Sequence, residues 1–157
     1  MERASAAVSP EQLAAELRPV LTSITVSWRR EMGSATGVGV SQAQLLLALA
    51  TCGAQRVSQI AASQGVSGAS ATGLISRMEG AGWVRRCPDP ADGRGVVVEM
   101  TDLGRQVLDE AAAVSTRLLT ARLGALSPEH RARIAAALPA LRGLERDWAV
   151  HRGAGPR

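Results

Sequence analysis

The 157-residue sequence has few of the residues that metal sites and disulfide frameworks require. Its two cysteines, Cys52 and Cys87, cannot build a disulfide framework or a structural zinc site, which needs about four ligands in close pairs. His130 and His151 lie far apart and have no cysteine or acidic pair at ligand spacing. The sequence therefore predicts no metal site and no cofactor, and two unpaired thiols are consistent with a reducing compartment.

Catalytic constellations and membrane segments are missing as well. No nucleophile with an acid/base partner is apparent, and the glycine-containing stretch 65–82 lacks the Gly-Lys-Ser/Thr signature of phosphate-binding loops. No apolar run approaches the roughly 20 residues of a membrane span, and the N-terminus lacks the basic-then-apolar pattern of a signal peptide. We expect a cytoplasmic protein that is not an enzyme and has no membrane partner.

Lysine is absent, so that all 18 basic residues are arginines, and they outnumber the 14 acidic residues to give a net charge of +4. A positive balance favours a phosphate-bearing partner, but an arginine-only composition also reflects genomic base composition. The positions of the arginines therefore carry more weight than their number. The hydrophobic share of 46% predicts one folded domain with a core.

Capping residues and the helical spacing of apolar residues predict six helices. A Ser-Pro-Glu sequence, at Ser9 and again at Ser127, opens the first and the last of them, and Ser67 is a good N-cap for the fourth. A tight turn after Gly65 separates the short third helix from the fourth. The approximate positions are 10–32, 41–52, 57–64, and onward from Ser67, from Asp102 and from Pro128.

Two β-branched runs predict a β-hairpin after the fourth helix. Residues 83–86 and 96–100 flank the stretch 88–95, which is dense in turn residues and predicts a long tip. A short helix, a tight turn, a second helix and a basic hairpin form the order of a winged helix-turn-helix. The predicted fold class is mainly α with a small β-hairpin wing (α+β).

The fourth helix and the hairpin carry the candidate DNA-binding residues. In a winged helix-turn-helix the second helix enters the major groove, where small residues permit close approach and hydroxyls and arginines bond phosphates or base edges. Asp92 is expected to hold Arg94 by a charge-assisted bond, which suits that arginine to a narrow minor groove. The candidates are Ser67, Gly68, Ser70, Thr72, Gly73, Ser76 and Arg77 on the helix, and Arg85, Arg86, Asp92 and Arg94 on the hairpin.

Three segments resemble the MarR family of bacterial regulators. Residues 66–86 resemble the family's recognition helix entering its wing, and Asp89-Pro-Ala-Asp-Gly-Arg94 resembles the wing signature that ends in Asp-x-Arg. Thr101-Asp-Leu-Gly104 resembles the Thr-x-x-Gly that restarts the helix after the wing. The chain departs from the family pattern at Gly73, where a larger residue is common, and at Arg56, where a capping threonine is usual.

The resemblance implies a homodimeric, sequence-specific transcriptional regulator that binds a pseudo-palindromic operator on double-stranded DNA, by default as a repressor. It implies a single domain over 1–157, in which 9–32 and 101–149 are dimerisation helices and 41–100 is the DNA-binding lobe. The residues agree, because the apolar stripes of the first and last helices have too little partner surface in a chain of this size. The half-sites are expected about one helical turn, roughly 10 base pairs, apart.

The resemblance also implies a small anionic or aromatic effector that releases the DNA and binds between the dimerisation helices and the DNA-binding lobe. Trp28 and Arg29 on the first helix are candidates by position only. A tryptophan on an apolar stripe more often packs in the core or an interface.

Two alternatives remain open at this stage. A winged helix can bind protein instead of DNA, which would predict an exposed apolar face on the fourth helix rather than Ser, Thr, Gly and Arg. A redox-responsive regulator would act through Cys87, because the neighbouring Arg85 and Arg86 could lower the pKa of the thiol and favour oxidation. Cys52, at the end of an apolar helix, is expected to be a buried, inert thiol.

Overall fold

The computed structural model of the protein describes residues 9–153, apart from the side chains of Arg94 and of residues 148–153. It is mainly helical with a small antiparallel sheet, as the sequence predicts. The elements are α1 (Pro10–Thr36), α2 (Val40–Cys52), β1 (Gln55–Arg56), α3 (Val57–Gln64), α4 (Gly68–Gly80), β2 (Val84–Asp89), β3 (Asp92–Met100), α5 (Asp102–Gly124) and α6 (Pro128–Gly153). The chain divides into two compact units, one ending at Ser115 and one beginning at Thr116.

The helices α1, α4 and α6 begin where their capping residues predict. Ser9 Oγ accepts the backbone N–H of Gln12, and the Gln12 side chain accepts the N–H of Ser9, so that a capping box opens α1. Ser127 Oγ accepts the backbone N–H of His130 at 3.2 Å and caps the start of α6. These bonds satisfy backbone donors that would otherwise lack a partner in the first helical turn.

The end of α1 differs from the prediction. The helix was expected to end near residue 32, before Gly33, but it continues to Thr36 and ends at Gly37. Gly37 adopts a left-handed conformation, with φ of 67°, and its N–H donates to the carbonyl of Gly33 at 3.0 Å. A glycine inside a helix costs only about 1 kcal/mol, so it is the residue with positive φ, not the first glycine, that stops the helix.

The hairpin is extended by a third strand, and its tip is shorter than predicted. The strand order is β1-β3-β2, with Gln55 opposite Val98 and Arg85 opposite Glu99. The strands continue to Asp89 and restart at Asp92, so the expected tip over 88–95 is wrong. Pro88 is tolerated within β2 because β2 is an edge strand, where a missing N–H breaks no ladder bond.

The core lies beneath the helix-turn-helix. Apolar side chains of α2, α3 and α4 pack together with those of the sheet and leave the outer face of α4 exposed. The buried residues of this core are Leu45, Leu46, Leu49, Ile60, Ala61, Ala71, Leu74, Ile75, Met78, Val84 and Val98. The inward spacing of Ala71, Leu74, Ile75 and Met78 therefore fixes which side of α4 faces outward.

Within residues 9–153, no single helix is both long and apolar enough to cross a membrane. Only α1 and α2 taken together reach that length and apolarity, and they are bent by 82° where they join.

Candidate nucleic-acid interface

A tight turn between α3 and α4 leaves the start of α4 exposed at the surface. Gly65 ends α3 in the left-handed conformation, with φ of 64°, and its N–H donates to the carbonyl of Ala62. Two residues later Ser67 caps α4, with Oγ accepting the backbone N–H of Ser70 at 3.2 Å. The turn thus places two helices in the helix-turn-helix arrangement that the sequence predicts.

The candidate residues of α4 share one accessible face. Six of the seven are exposed, and Gly73 is half-buried. A Cβ on Gly73 would lie 3.6 Å from Nη1 of Arg77, an ordinary contact, so the fold does not require glycine there. The six exposed residues are Ser67, Gly68, Ser70, Thr72, Ser76 and Arg77.

The hydroxyls on this face are ordered by bonds within α4. Ser67 Oγ donates to Ser70 Oγ at 3.0 Å, which leaves the Ser70 hydroxyl hydrogen for an outside acceptor such as a phosphate oxygen. Thr72 Oγ1 donates to the carbonyl of Gly68 at 2.8 Å and keeps its lone pairs for an outside donor, such as a base amino group. The face can therefore both donate and accept hydrogen bonds.

Arg77 supplies the positive charge of this face. It is exposed and forms no ion pair with a carboxylate among the described residues. It borders a cleft of about 190 Å³ that Ser41 and Gln44 of α2 and Ser70 of α4 also line. The sequence predicts Ser41 and Gln44 as a capping box at the start of α2, which is wrong because Gly39 is the N-cap and its N–H donates to the Gln42 side chain. It did not place Ser41 and Gln44 at this surface.

The two arginines at the base of the wing are each paired with a carboxylate. Arg85 donates from Nη2 and Nε to Glu99 Oε2, at 2.9 and 3.2 Å, and its guanidinium lowers the pKa of Glu99. Arg86 pairs with Glu79 of α4 and donates to Ser76 Oγ at 3.2 Å. The structure thus places Arg86 beside α4 and Arg85 against β3, with both charges largely compensated, and Arg86 joins the wing to the helix.

The wing tip holds an ion pair that the sequence analysis missed. Arg56, which precedes α3, lies 2.6 Å from Asp89 and 3.6 Å from Asp92. Asp89 is buried. Its pKa is lowered below the ordinary value, mainly by the hydrogen bond from the backbone N–H of Ala91 and next by the hydrogen bond from Arg56. The expected bond between Asp92 and Arg94 falls on a side chain outside the described residues.

The pH dependence of stability should report this buried carboxyl. A carboxyl with a depressed pKa in the folded state stabilises the protein above its unfolded pKa, and that contribution is lost as the pH falls through the folded pKa. We expect stability to fall below about pH 4, and to fall less steeply for Asp89→Asn, since the unfolded pKa is about 3.9. Urea unfolding midpoints of both proteins between about pH 7 and 3 measure this, and parallel profiles would contradict it.

The comparisons with known proteins agree with this geometry. The model of the MarR family matches residues 36–95, from the last residue of α1 into the wing. Over this segment the chain is a MarR family protein. YfiV, an uncharacterised HTH-type transcriptional regulator of Bacillus subtilis (strain 168), is 32% identical over 94 residues, which are 60% of this chain and 59% of YfiV. Mb0904 of Mycobacterium bovis, also an uncharacterised HTH-type transcriptional regulator, is 32% identical over 94 residues and is covered to 66%. The chain therefore spans about three fifths of the length of YfiV.

Solved structures share the fold beyond the matched segment. A MarR family protein from Bacillus stearothermophilus has a TM-score of 0.74 and 24% identity, covering 90% of this chain and 99% of that one. Apo wild-type MarR from E. coli has a TM-score of 0.66 and 20% identity, covering 80% of this chain and 96% of that one. At these identities the likeness concerns the winged-helix fold.

The environments of the two thiols differ from those that the sequence predicts. Cys87 is half-buried and its Sγ donates to Glu99 Oε2 at 3.4 Å. Burial and the neighbouring carboxylate raise the pKa of Cys87 and outweigh the effect of Arg85. The expectation of a lowered pKa for Cys87 is therefore wrong, although Arg85 acts in that direction. Cys52 was expected to be buried but is exposed at the end of α2.

A cavity of about 360 Å³ lies in the unit that ends at Ser115. Residues of α1, α2 and α5 line it, among them Trp28, Arg29, Met32, Leu47 and Leu108. The lining is mostly apolar, and Arg29 is its one cationic side chain. Leu47 of the apolar α2 run is 58% exposed and lines this cavity instead of joining the core. The two effector candidates from the sequence are thus brought to one cavity.

Proposed function

We propose that the protein is a sequence-specific DNA-binding transcriptional regulator of the cytoplasm, whose α4 enters the major groove and whose wing contacts the adjacent groove. The observation that carries the proposal is the outer face of α4, where hydroxyls, small residues and Arg77 are exposed together. The names of the curated relatives, HTH-type transcriptional regulators, support it. We propose that the DNA-binding lobe covers 41–100. We also propose that the protein acts as a regulator and not as an enzyme, as the names of its relatives suggest.

We further propose a homodimer held by the helices outside this lobe, 9–32 and 101–149. On α1, Leu21 and Ile24 lie one helical turn apart and are 40% and 60% exposed, and on α6, Leu138 and Leu141 are 44% and 42% exposed. Apolar rows of this kind favour burial against a partner, and a two-fold dimer presents two copies of α4 to successive major grooves. A pseudo-palindromic operator with half-sites roughly 10 base pairs apart follows from that symmetry. Sedimentation measures the mass, and a monomer at micromolar concentration contradicts this part.

The third part of the proposal is that a small effector occupies the cavity of about 360 Å³ and releases the DNA, so that the protein acts as a repressor. The volume lies within the range of ligand pockets, and an apolar lining with one cation suits an aromatic anion. The proposed DNA-binding lobe also borders the cavity, since its helix α2 supplies Ala43, Gln44 and Leu47. A ligand that favours one position of α2 would thereby change the affinity for DNA.

The structure gives less support to the two alternatives. A protein-interaction module would present large apolar side chains on α4, whereas the exposed positions of α4 are small, polar or charged. Redox regulation through Cys87 lacks its chemical basis, because a raised pKa leaves less of the reactive thiolate. Both alternatives nevertheless have distinct outcomes in the next experiment.

Enrichment of genomic fragments on the purified protein, at two salt concentrations, tests the main proposal. A regulator is expected to retain one palindromic sequence at the higher salt, whereas non-specific electrostatic binding is lost. Uniform, salt-labile binding would favour the protein-interaction module. The redox alternative would be favoured if enrichment disappears after peroxide treatment and returns with a thiol reductant. In that case enrichment by Cys87→Ser should persist after the same peroxide treatment.

Effector binding should depend on Arg29. Benzoate, an aromatic anion, is expected to bind about tenfold more weakly to Arg29→Gln, because a hydrogen bond to a charged group contributes about 1.5 kcal/mol or more. Benzyl alcohol, which has the same ring without the charge, is expected to bind both proteins alike. Titration calorimetry measures the affinities. Arg30→Gln is the matched control, since Arg30 adjoins Arg29 but does not line the cavity. An equal loss for both ligands would show that Arg29 does not select charge.

A further inference from the structure

One arginine ties the wing tip to the start of α3. Nε of Arg56 donates to Oδ2 of Asp89 at 2.6 Å, and Nη2 lies 2.6 Å from the same oxygen and 3.6 Å from Oδ2 of Asp92. Arg56 is the N-cap residue of α3 and lies 33 residues before Asp89 in the chain. The contact therefore joins the helix-turn-helix to the point where β2 ends and the hairpin turns.

Asp89 uses both of its carboxylate oxygens. Oδ1 accepts the backbone N–H of Ala91 at 2.9 Å within the turn, while Oδ2 accepts the guanidinium of Arg56. The Asp89 side chain is only 7% exposed, whereas that of Arg56 is 46% exposed. A carboxylate this buried depends on its partners, because an unpaired buried charge is strongly destabilising. One side chain thus sets both the shape of the turn and its attachment to α3.

The opposite strand restricts any other position of Asp89. A Cβ on Gly95 would lie 3.1 Å from the Cβ of Asp89 and 3.2 Å from the carbonyl oxygen of Asp92. The backbone of β3 therefore packs closely against the turn, and Asp89 cannot move toward it. Without Arg56, the Asp89 carboxylate could be solvated only by moving outward, and this movement would displace the turn.

We propose that Arg56 and Asp89 are positioning residues for DNA binding, which hold the wing tip in the orientation in which the wing meets DNA. The inference rests on the proposed function. Neither residue has to touch a base or a phosphate. Arg56 also lies close to the carboxylate of Asp92, so that it offsets two negative charges at a surface that approaches the phosphates.

The DNA affinity of Asp89→Asn distinguishes a positioning role of this ion pair from a purely electrostatic one. Asp89→Asn removes a negative charge near the proposed DNA surface, so a purely electrostatic role predicts tighter binding. A positioning role predicts weaker binding, because the amide cannot hold the guanidinium as the carboxylate does. Arg56→Gln weakens binding under both views, and therefore does not discriminate by itself.

The experiment measures the affinity of wild type, Arg56→Gln, Asp89→Asn and the double variant for a duplex that carries the enriched genomic sequence. Each single variant is expected to bind roughly tenfold more weakly than the wild type. The double variant is expected to lose no more affinity than the single variant with the larger loss, because the two residues act as a pair. Arg56→Lys keeps the charge but not the two-nitrogen contact, and is expected to bind with intermediate affinity. Amide exchange at Ala91 should accelerate in all of these variants.

Arg133→Gln is the charge-matched control for Arg56→Gln, because it also removes one positive charge and breaks only an exposed ion pair with Glu129 on α6. Urea unfolding checks that every variant is folded. If Asp89→Asn is unfolded, Arg56→Lys is the test instead, and wild-type affinity in that variant overturns the positioning role. Unchanged or tighter binding by folded Asp89→Asn, losses that multiply in the double variant, or an equal loss in Arg133→Gln overturns the inference. A wild-type protein that does not prefer its enriched duplex over a random duplex overturns the proposed function instead.

Discussion

A Gly104→Ala variant is expected to lose about 3 kcal/mol or more of its free energy of unfolding, because overpacking a filled site forces the backbone apart. Gly104 is buried in the first turn of α5, where a Cβ would overlap the carbonyl oxygen of Trp83 and lie 3.0 Å from Cγ of Met100. The carbonyl of Trp83 cannot easily move, since it accepts the N–H of Thr101 at 3.0 Å. Thr101 is itself held by its hydroxyl, which donates to the carbonyl of Gly82 at 2.6 Å and accepts the N–H of Gly104.

Urea denaturation of the wild type and Gly104→Ala measures this loss, and Gly33→Ala provides the control. Gly33 lies in the last turns of α1, and a Cβ there would meet nothing within 4 Å. The same substitution should therefore stabilise the protein by up to about 1 kcal/mol, as expected for alanine in place of glycine in a helix. If Gly104→Ala unfolds at the same urea concentration as the wild type, the close approach of α5 to Trp83 is not a constraint on the fold.

Features that depend on neighbouring residues could be predicted from the sequence, and those that depend on distant ones could not. The starts of α1, α4 and α6 follow from Ser9, Ser67 and Ser127, because a cap bonds a backbone group three residues away. The strand β1 has only two residues, and its existence depends on pairing with Val97 and Val98 more than 40 residues later. No local pattern distinguishes so short a strand from a turn.

The same distinction applies to the site. The outer face of α4 could be predicted because a buried row at helical spacing determines the opposite side. The partners of Arg85 and Arg86 could not, because Glu99 and Glu79 reach them only through the register of the hairpin and the packing of α4. The wrong prediction for Cys87 has the same origin, since charge adjacent in sequence was counted, whereas burial and the carboxylate on the neighbouring strand were not. Contacts between different elements of the fold thus decide which arginines retain an uncompensated charge.

Thr72→Glu is expected to abolish specific DNA binding while leaving the fold intact. Thr72 is exposed in the middle of the outer face of α4, and its hydroxyl contacts only the carbonyl of Gly68 within the helix. A carboxylate at this position would meet phosphates and the acceptor-rich edges of the bases, and placing like charges together costs several kcal/mol. We expect a loss of affinity of about 100-fold or more, since 1.4 kcal/mol corresponds to a factor of ten. Glutamate is also a better helix former than threonine, so α4 itself should not be weakened.

Thr51→Glu is the matched control for this substitution. Thr51 is also exposed and also donates its hydroxyl to the carbonyl four residues earlier, that of Leu47, at 2.8 Å. It lies near the end of α2 and outside the proposed interface, so the same added charge should change DNA affinity only through the long-range field, by severalfold at low salt and less at high salt. Affinities of both variants for the enriched duplex at two salt concentrations separate the two effects. If Thr51→Glu and Thr72→Glu lose equal affinity, the loss comes from net charge, and the outer face of α4 is not the surface that reads the DNA.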